Sequence, residues 1–442
     1  MPLIRSKDVD DRLESLYTLL SEDEDARSCR DLEEGACRWV PRNFFVYLVS
    51  STLTKLGDAL SSTKTVLAWV MAMAGAPTGM IAMLVPIRES GSMLPQLILG
   101  GWVRRQPLRK PLWLLGSMLQ AVAVLGCAAA AAWLTGVTAG LVILGCVVAF
   151  SLARSLNSIA SKDILGKTIP KGRRGRLGGW AAGLSGLATL VVGVWFAVRG
   201  RNEDSPLFYA ALLGAAGLMW VLATIVFGAI REHPGETGGG ANGWREAWSR
   251  LDLLRTDAAF RRFVTTRALL LCSALTAPFY VVLARMHGDG SASILGSFLV
   301  AGGLASSLSA PVWGRQADRS SRRVMIAAAL MTAGLGIAVF ALMSWRPDLG
   351  TLPWMFPAFF FCLGVAHAGV RAGRKTYLVD LAGGVKRTDY VAVSNTLIGL
   401  ILLLVGGATS IFSSFEPHQV ILGLSLFGLA GAAMAVTLPE VE

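Results

Sequence analysis

Residues 112–134 read LWLLGSMLQAVAVLGCAAAAAWL, a stretch without one charged side chain. The hydrocarbon core of a bilayer takes ~20 apolar residues of helix to cross. Inside it every backbone N–H and C=O must be satisfied within the protein, so an apolar run of this length folds as a spanning helix. The rest of the chain repeats the pattern. Of its 442 residues, 53% are hydrophobic and 16% charged, where a soluble domain carries about 25% charged residues. The runs are continuous and do not alternate every second residue, which argues against a β-barrel. The fold class that follows is an all-α polytopic membrane protein.

Twelve transmembrane helices are read, at 42–72, 78–103, 110–133, 138–161, 178–199, 207–230, 262–285, 292–314, 323–345, 353–376, 390–414 and 419–437. The first is too long for one straight crossing and is expected to tilt or to leave the bilayer at its outer end.

The net charge of +12 comes with no zinc-finger or RNP signature, so no nucleic-acid partner is expected. Its distribution sets topology instead. With a cytoplasmic N-terminus, the inner loops from Arg104 to Arg387 hold 22 Lys and Arg, and the outer loops hold 4, at Arg199, Arg201, Arg285 and Arg346. That asymmetry places both termini in the cytoplasm and the chain in the inner (plasma) membrane. Residues 1–41 form an acidic segment, with eleven acids and six bases in 1–38, read as a short amphipathic helix and acidic loop or as a disordered tail. It lacks the short apolar core of a cleavable signal. Cys29 and Cys37 could pair there; Cys127, Cys146, Cys272 and Cys362 read as buried thiols in apolar helices.

The two halves repeat. An offset of 213 residues carries Gly101 onto Gly314, Arg109 onto Arg322, Lys162 onto Lys375 and Arg174 onto Arg387, and it superposes six spans on six. The chain therefore reads as two pseudo-symmetric six-helix bundles, 42–230 and 262–442, joined by a cytoplasmic linker, 231–261. That linker opens REHPGETGGGANG, a flexible stretch. Trp244, Trp248, Leu251 and Leu254 then follow at helical spacing, either an amphipathic helix at the inner membrane surface or a plain tether.

Residues 314–323, GRQADRSSRR, resemble the signature of the major facilitator superfamily, which lies between its second and third helices and again between the eighth and ninth. Twelve spans, two related halves and the basic loops extend the resemblance over 42–437. It implies a secondary transporter that works by alternating access, with no cofactor, acting as a monomer. It also implies a conformational latch at Gly314, Asp318, Arg319, Arg322 and Arg323, in which Asp318 pairs with nearby Arg and faces the start of the eleventh span near Tyr390. The first-half copy, GGWVRRQPLRK, has Arg105 where Asp318 stands and cannot form the same pair. The fifth span, GGWAAGLSGLATLVVG, lacks the Gly-Pro signature of the family's drug antiporters, and its glycines suit tight helix packing.

Ionisable groups inside spans cost about 2.5–3.5 kcal/mol each on insertion scales, so they face a cavity or a partner. Lys55 and Asp58 share a helical face with Ser51 and Ser62, and at i,i+3 could neutralise each other. Lys64 is expected to snorkel outward. Arg88 and Glu89 lie ~15 Å deep, near the midplane. Arg154 and its repeat equivalent His367 lie deeper than Lys162 and Lys375, with Arg371 beside His367, and Arg267 is expected at the inner interface. The candidate substrate-binding or ion-coupling residues are thus Lys55, Asp58, Arg88, Glu89, Arg154, His367 and Arg371. Their cationic balance suits an organic anion or acid-bearing metabolite, with Asp58 and Glu89 as proton carriers. No P-loop, H-E-x-x-H or G-x-S-x-G motif occurs, so no enzyme activity and no metal site is expected. Two other readings remain open, a non-transporting scaffold or sensor, and a lipid or lysolipid flippase that works on membrane lipids.

Overall fold

The computed structural model describes residues 37–200, 205–235, 237, 250–381, 386–411 and 415–441. The acidic segment up to residue 36, Trp244 and Trp248 lie outside them, whereas Leu251 and Leu254 pack against the Phe260–Tyr390 core. Cys37 is disulfide-bonded. Cys127, Cys146, Cys272 and Cys362 are unpaired thiols.

Among the described residues, every element is helical, and nine stretches are long and apolar enough to cross a membrane. Five are single helices of the expected kind: α5 (Lys110–Trp133), α6 (Gly136–Thr168), α7 (Lys171–Arg199), α8 (Pro206–Phe227) and, at the end of the chain, α15 (Pro417–Val436). α12 (Ala292–Trp345) is a pair of helices run together across Ser320, whose φ of −163° and ψ of 99° are extended, not helical. α13 (Met355–Leu381) and α14 (Lys386–Ile411) follow.

The first two apolar segments are broken. Residues 40–73 form α1 (Val40–Leu60) and α2 (Val66–Met73), parted by Ser61-Ser62-Thr63-Lys64-Thr65. The hydroxyl-rich sequence supplies its own stop. Ser61 Oγ donates to Gly57 O at 2.7 Å, and Ser62 Oγ accepts from the Lys64 N–H at 3.3 Å, side-chain bonds that compete with the helical ladder. Residues 78–104 form α3 (Thr78–Met93) and α4 (Pro95–Arg104), divided where Pro95 removes a donor. The seventh segment is likewise cut into α9 (Ala258–Leu269), α10 (Cys272–Leu275) and α11 (Ala277–His287). Under the 213-residue offset the break at 61–65 falls on 274–278, next to this second interruption.

The packing is asymmetric end to end. One large apolar core mixes both halves of the chain, with Trp69, Leu84 and Phe150 from the first and Tyr280, Phe298 and Phe356 from the second. Two other cores each stay within one half, around Phe44, Trp113 and Phe227, and around Phe263, Met325 and Tyr377. The shared core lies at the end remote from the termini. There α7 meets α12 backbone to backbone: a Cβ on Gly296 would lie 2.4 Å from Ala197 N, and one on Gly200 would lie 2.9 Å from Ala292. α3 meets α14 similarly, with Ser90 Oγ donating to Gly399 O at 2.8 Å and a Cβ on Gly406 falling 2.2 Å from Pro86. Toward the termini the helices part. A Cβ on Gly175, Gly179 or Gly183 of α7, or on Gly303 or Gly314 of α12, would touch nothing within 4 Å. The halves are therefore closed at the far face and splayed at the face that carries the termini.

Candidate functional site

Asp58 sits a little over half a turn before the end of α1, where the helix approaches α3 and α6. Arg88 of α3 donates Nη2 to Asp58 Oδ1 at 2.7 Å. Arg154 of α6 donates Nη1 to Oδ1 at 2.8 Å and to Oδ2 at 2.6 Å. One carboxylate thus bridges two guanidiniums. Gly91 lets α3 come this close to α6, since a Cβ there would lie 2.7 Å from Ser151 Cβ. The Arg88 guanidinium also lies over the Phe150 ring, 3.9 Å from its centroid, and its Nη1 is buried with no hydrogen-bond partner. A cation that has lost its water is held by a carboxylate on one side and a π-face on the other.

A second cluster joins the two halves. Lys64 Nζ lies 3.1 Å from His367 Nε2, and His367 Nδ1 lies 3.1 Å from Ser273 Oγ. Ser273 Oγ in turn donates to Leu270 O at 3.0 Å. With Lys64 as an ammonium, which has no lone pair, Nε2 accepts, and with the Ser273 proton directed to Leu270 O, Nδ1 donates. That assignment makes His367 neutral. Lys64 and Ser273 both belong to interrupted helices, α1–α2 and α9–α11.

Between the halves lies a cavity of about 1230 Å³, lined in part by Lys55, Lys64, Phe298, Phe360, His367 and Arg371. A second space of about 710 Å³ runs inside the first half, past Lys55, Asp58 and Arg154 to the buried Gln120, Asn157 and Trp220. Lys55 borders both. Its side chain is exposed and, among the described residues, carries no carboxylate partner. Glu89 makes no direct ion pair among the described residues, and the cations acting on it most strongly are Lys64, Arg88 and Arg374. Among the described residues, the carboxylates acting on this group of Lys55, Lys64, Arg88, Arg154, Arg371 and Arg374 are Asp58 and Glu89.

Asp58, Arg88 and Arg154 are brought into direct contact, Lys55, His367 and Arg371 line the central cavity, and Glu89 lies in the field of Lys64 and Arg374. Three sequence expectations are corrected. Lys55 does not neutralise Asp58, because Asp58 is saturated by the two arginines. Lys64 does not snorkel; the helix break holds it against His367. Arg267 does not reach an interface. It is 6% exposed and donates to Ser394 Oγ at 2.6 Å and Asn395 Oδ1 at 2.9 Å. Lys64, Ser273 and Arg374 were missed as site residues. The Ser-Ser-Thr-Lys-Thr run was the available signal for Lys64.

At the face of the termini, Asp318 and Arg319 are exposed, and Asp318 has no ion-pair partner among the described residues. A Cβ on Gly314 would touch nothing within 4 Å, and the Arg323 side chain is exposed. Tyr390 donates its hydroxyl to Asp257, not to Asp318. Arg322 is taken by the chain's own C-terminus: it pairs with Glu440 and donates to Leu438 O at 2.9 Å. Ser320 Oγ, at the kink, donates to Glu440 Oε1 at 2.5 Å. Tyr377 donates to Pro439 O at 3.0 Å, which completes the clamp.

The Ser320 hydroxyl first, then Arg322 and Arg323, hold the Glu440 carboxyl below its ordinary range. A depressed folded pKa stabilises at pH values above the unfolded one, ~4.3 for Glu, and that contribution disappears as pH falls through the folded value. Amide protection in 437–441, taken relative to the unstructured exchange rate at each pH, should accordingly be high at neutral pH and fall as Glu440 is protonated. Glu440→Gln should lower it at neutral pH and change little in acid. Protection that stays constant as the pH falls in the unaltered chain would remove this clamp.

The helices are arranged as in several solved membrane transporters, one of them described as a major facilitator superfamily proton:xylose symporter. The xylose transporter XylE of E. coli in its inward open conformation matches with a TM-score of 0.64 and 12% identity, covering 90% of this chain and 96% of that one. A D-xylose-proton symporter matches at 0.65 and 14%, covering 90% and 97%. A peptide transporter in complex with alafosfalin matches at 0.64 and 13%, covering 90% and 93%. By sequence, uncharacterized proteins of Mycobacterium tuberculosis and Mycobacterium bovis are 25% identical over 408 residues, 90% of this chain and 78% of theirs. No protein-family model matches the chain.

Proposed function

We propose that the chain is a secondary transporter that carries an organic anion by alternating access. The observation that carries this reading is the cation surplus of the cavity between the halves, lined by Lys55, Lys64 and Arg371, beside a space within the first half where Asp58 bridges Arg88 and Arg154. Fixed guanidiniums bind carboxylate or phosphate through paired hydrogen bonds, and a chamber of this sign concentrates anions. Asp58 occupies the position an incoming acid group would take on Arg154. When the solute's anionic group displaces it, a proton taken up by Asp58 leaves the charge of the chamber unchanged. Proton coupling through Asp58, with Glu89 as second carrier, follows, and one of the matched structures is itself a proton symporter.

The twelve crossings of this reading count α1–α2, α3–α4 and α9–α11 as one each and α12 as two. They divide into bundles 42–230 and 262–442 about the linker 231–261. The bias of Lys and Arg puts the termini, and the open face, in the cytoplasm of a plasma membrane. The exposed Asp318 is then the released half of a latch that engages when this face closes.

The test is ligand-dependent thermal stabilisation of the purified protein across organic acids, lipids and neutral solutes. At least one organic acid should stabilise it, and Arg154→Gln should weaken that ligand about ten- to a hundredfold, the loss of a charge-assisted hydrogen bond worth ~1.5–3 kcal/mol. Equal stabilisation by neutral solutes would reject the anion site. Stabilisation by lipids alone would point to flipping, and a protein unresponsive to every solute would point to a scaffold.

A further inference from the structure

The face of the termini carries a basic notch unrelated to the central cavity. It has about 960 Å³ and lies where α5 begins and α8 ends, with Arg42, Lys110 and Arg231 in its wall beside Leu108, Leu114 and Ile230. Arg42 is joined by Arg38 and Arg231 around one indole, their guanidinium carbons 5.9, 5.4 and 5.4 Å from the Trp39 ring centroid. None of these three arginines has a carboxylate partner among the described residues. The acid in the notch, Glu232, is already spent. It accepts from the Arg109 N–H at 2.9 Å, the Lys110 N–H at 2.7 Å and Lys167 Nζ at 2.8 Å, and its side chain is 1% exposed. Lys110 Nζ is turned inward to Ile230 O at 3.0 Å. What remains is a pair of guanidiniums at the notch wall, Arg42 and Arg231, with Arg38 adjacent, that no carboxylate among the described residues compensates.

Like charges held this close call for an anion, and the surroundings say which kind. The notch lies at the ends of two membrane-crossing stretches, Lys110–Trp133 and Pro206–Phe227. α5 and α8 pack on each other and leave an apolar surface that starts one turn above it: Leu115 is 52% exposed and Leu119 47% on α5, Ile225 65% and Leu218 51% on α8. A charged pocket at the ends of two apolar, membrane-crossing helices with exposed apolar side chains matches an amphiphile, not a soluble ion.

We propose that this notch binds the phosphate-bearing headgroup of an anionic phospholipid, with its acyl chains lying along α5 and α8. Arg42 and Arg231 grip the phosphate, bidentate where geometry allows, and the Trp39 indole sits at headgroup level as interfacial tryptophans do. The proposal is independent of what the central cavity carries.

The experiment is native mass spectrometry of the full chain released from membranes of phosphatidylglycerol and phosphatidylethanolamine. The unaltered protein should retain one phosphatidylglycerol in preference to phosphatidylethanolamine. Arg42→Gln with Arg231→Gln should weaken that retention about thirtyfold, ~5-fold per charge near a lipid surface. Arg255→Gln, an exposed arginine near the end of the linker, should leave it unchanged, and circular dichroism should show all variants equally folded. Undiminished retention in the double variant overturns the proposal. So does equal competition by glycerol 3-phosphate, which would mark a site for free phosphate. Unchanged lipid with new protease cleavage in residues 1–36 overturns it as well, by making the acidic segment the occupant.

Discussion

Asp58→Ala should abolish transport and cost about 3 kcal/mol of stability, read as a fall in the unfolding midpoint. The variant leaves Arg88 and Arg154 facing each other in a half-buried site with no anion between them. Breaking a buried pair from one side costs about 3–5 kcal/mol. The lower end applies because the Arg154 side chain is 37% exposed and partly screened, while Arg88 is 15% exposed. Adding Arg154→Gln to Asp58→Ala removes the like-charge contact and should restore part of the midpoint without restoring transport. That split separates the structural share of the pair from its functional share. Normal uptake by Asp58→Ala in intact cells would eliminate the carboxylate from the mechanism.

The second large effect is at the far-face seal. Gly296→Val should cut transport at least tenfold, because its side chain would meet main-chain atoms, Ala197 N at 2.4 Å and Gly193 O at 2.6 Å, which have no rotamer to yield. Overpacking of this kind costs about 1–3 kcal/mol, and opening the seal relieves it. A cysteine reporter at Leu299, which lines the cavity, should then react with an impermeant reagent from the far face. Asp318→Asn should move the same reporter oppositely, since a latch that cannot form leaves the termini face open and the far face shut. Transport should fall while the amount of protein in the membrane stays constant. Unchanged transport in Asp318→Asn would remove the latch, and an unreactive reporter in Gly296→Val would show that this contact does not seal the far face.

Most of the helical plan was legible before any coordinates. The segment at 110–133 coincides with α5, and those at 207–230 and 419–437 differ from α8 and α15 by at most three residues at either end. Helix period and transfer free energy are properties of a short window, so a window suffices to read them. The break at 61–65 was less legible. Its apolar flanks run together, and only the hydroxyl cluster hints that the ladder stops. The misplacement of Lys64 follows from that: in an unbroken helix it lies near an outer end, whereas at the break it reaches His367.

By itself the sequence determined that the chain crosses a membrane many times, that its halves repeat at one offset, and that ionised side chains lie at depths where they need partners. Each of these depends on residues near in sequence and on the cost of placing them in hydrocarbon. Only the tertiary structure decided which partner each charge takes. Asp58 could pair with Lys55 on its own helix, yet it bonds Arg88 and Arg154 from 30 and 96 residues away. The face left open was decided there too, since glycines on α7 that look alike in sequence are pressed against α12 at Gly193 and stand clear of it at Gly179. Pairing and closure depend on which helices become neighbours and at what angle they cross, and that is set by summed packing over the whole bundle, which no single stretch of chain contains.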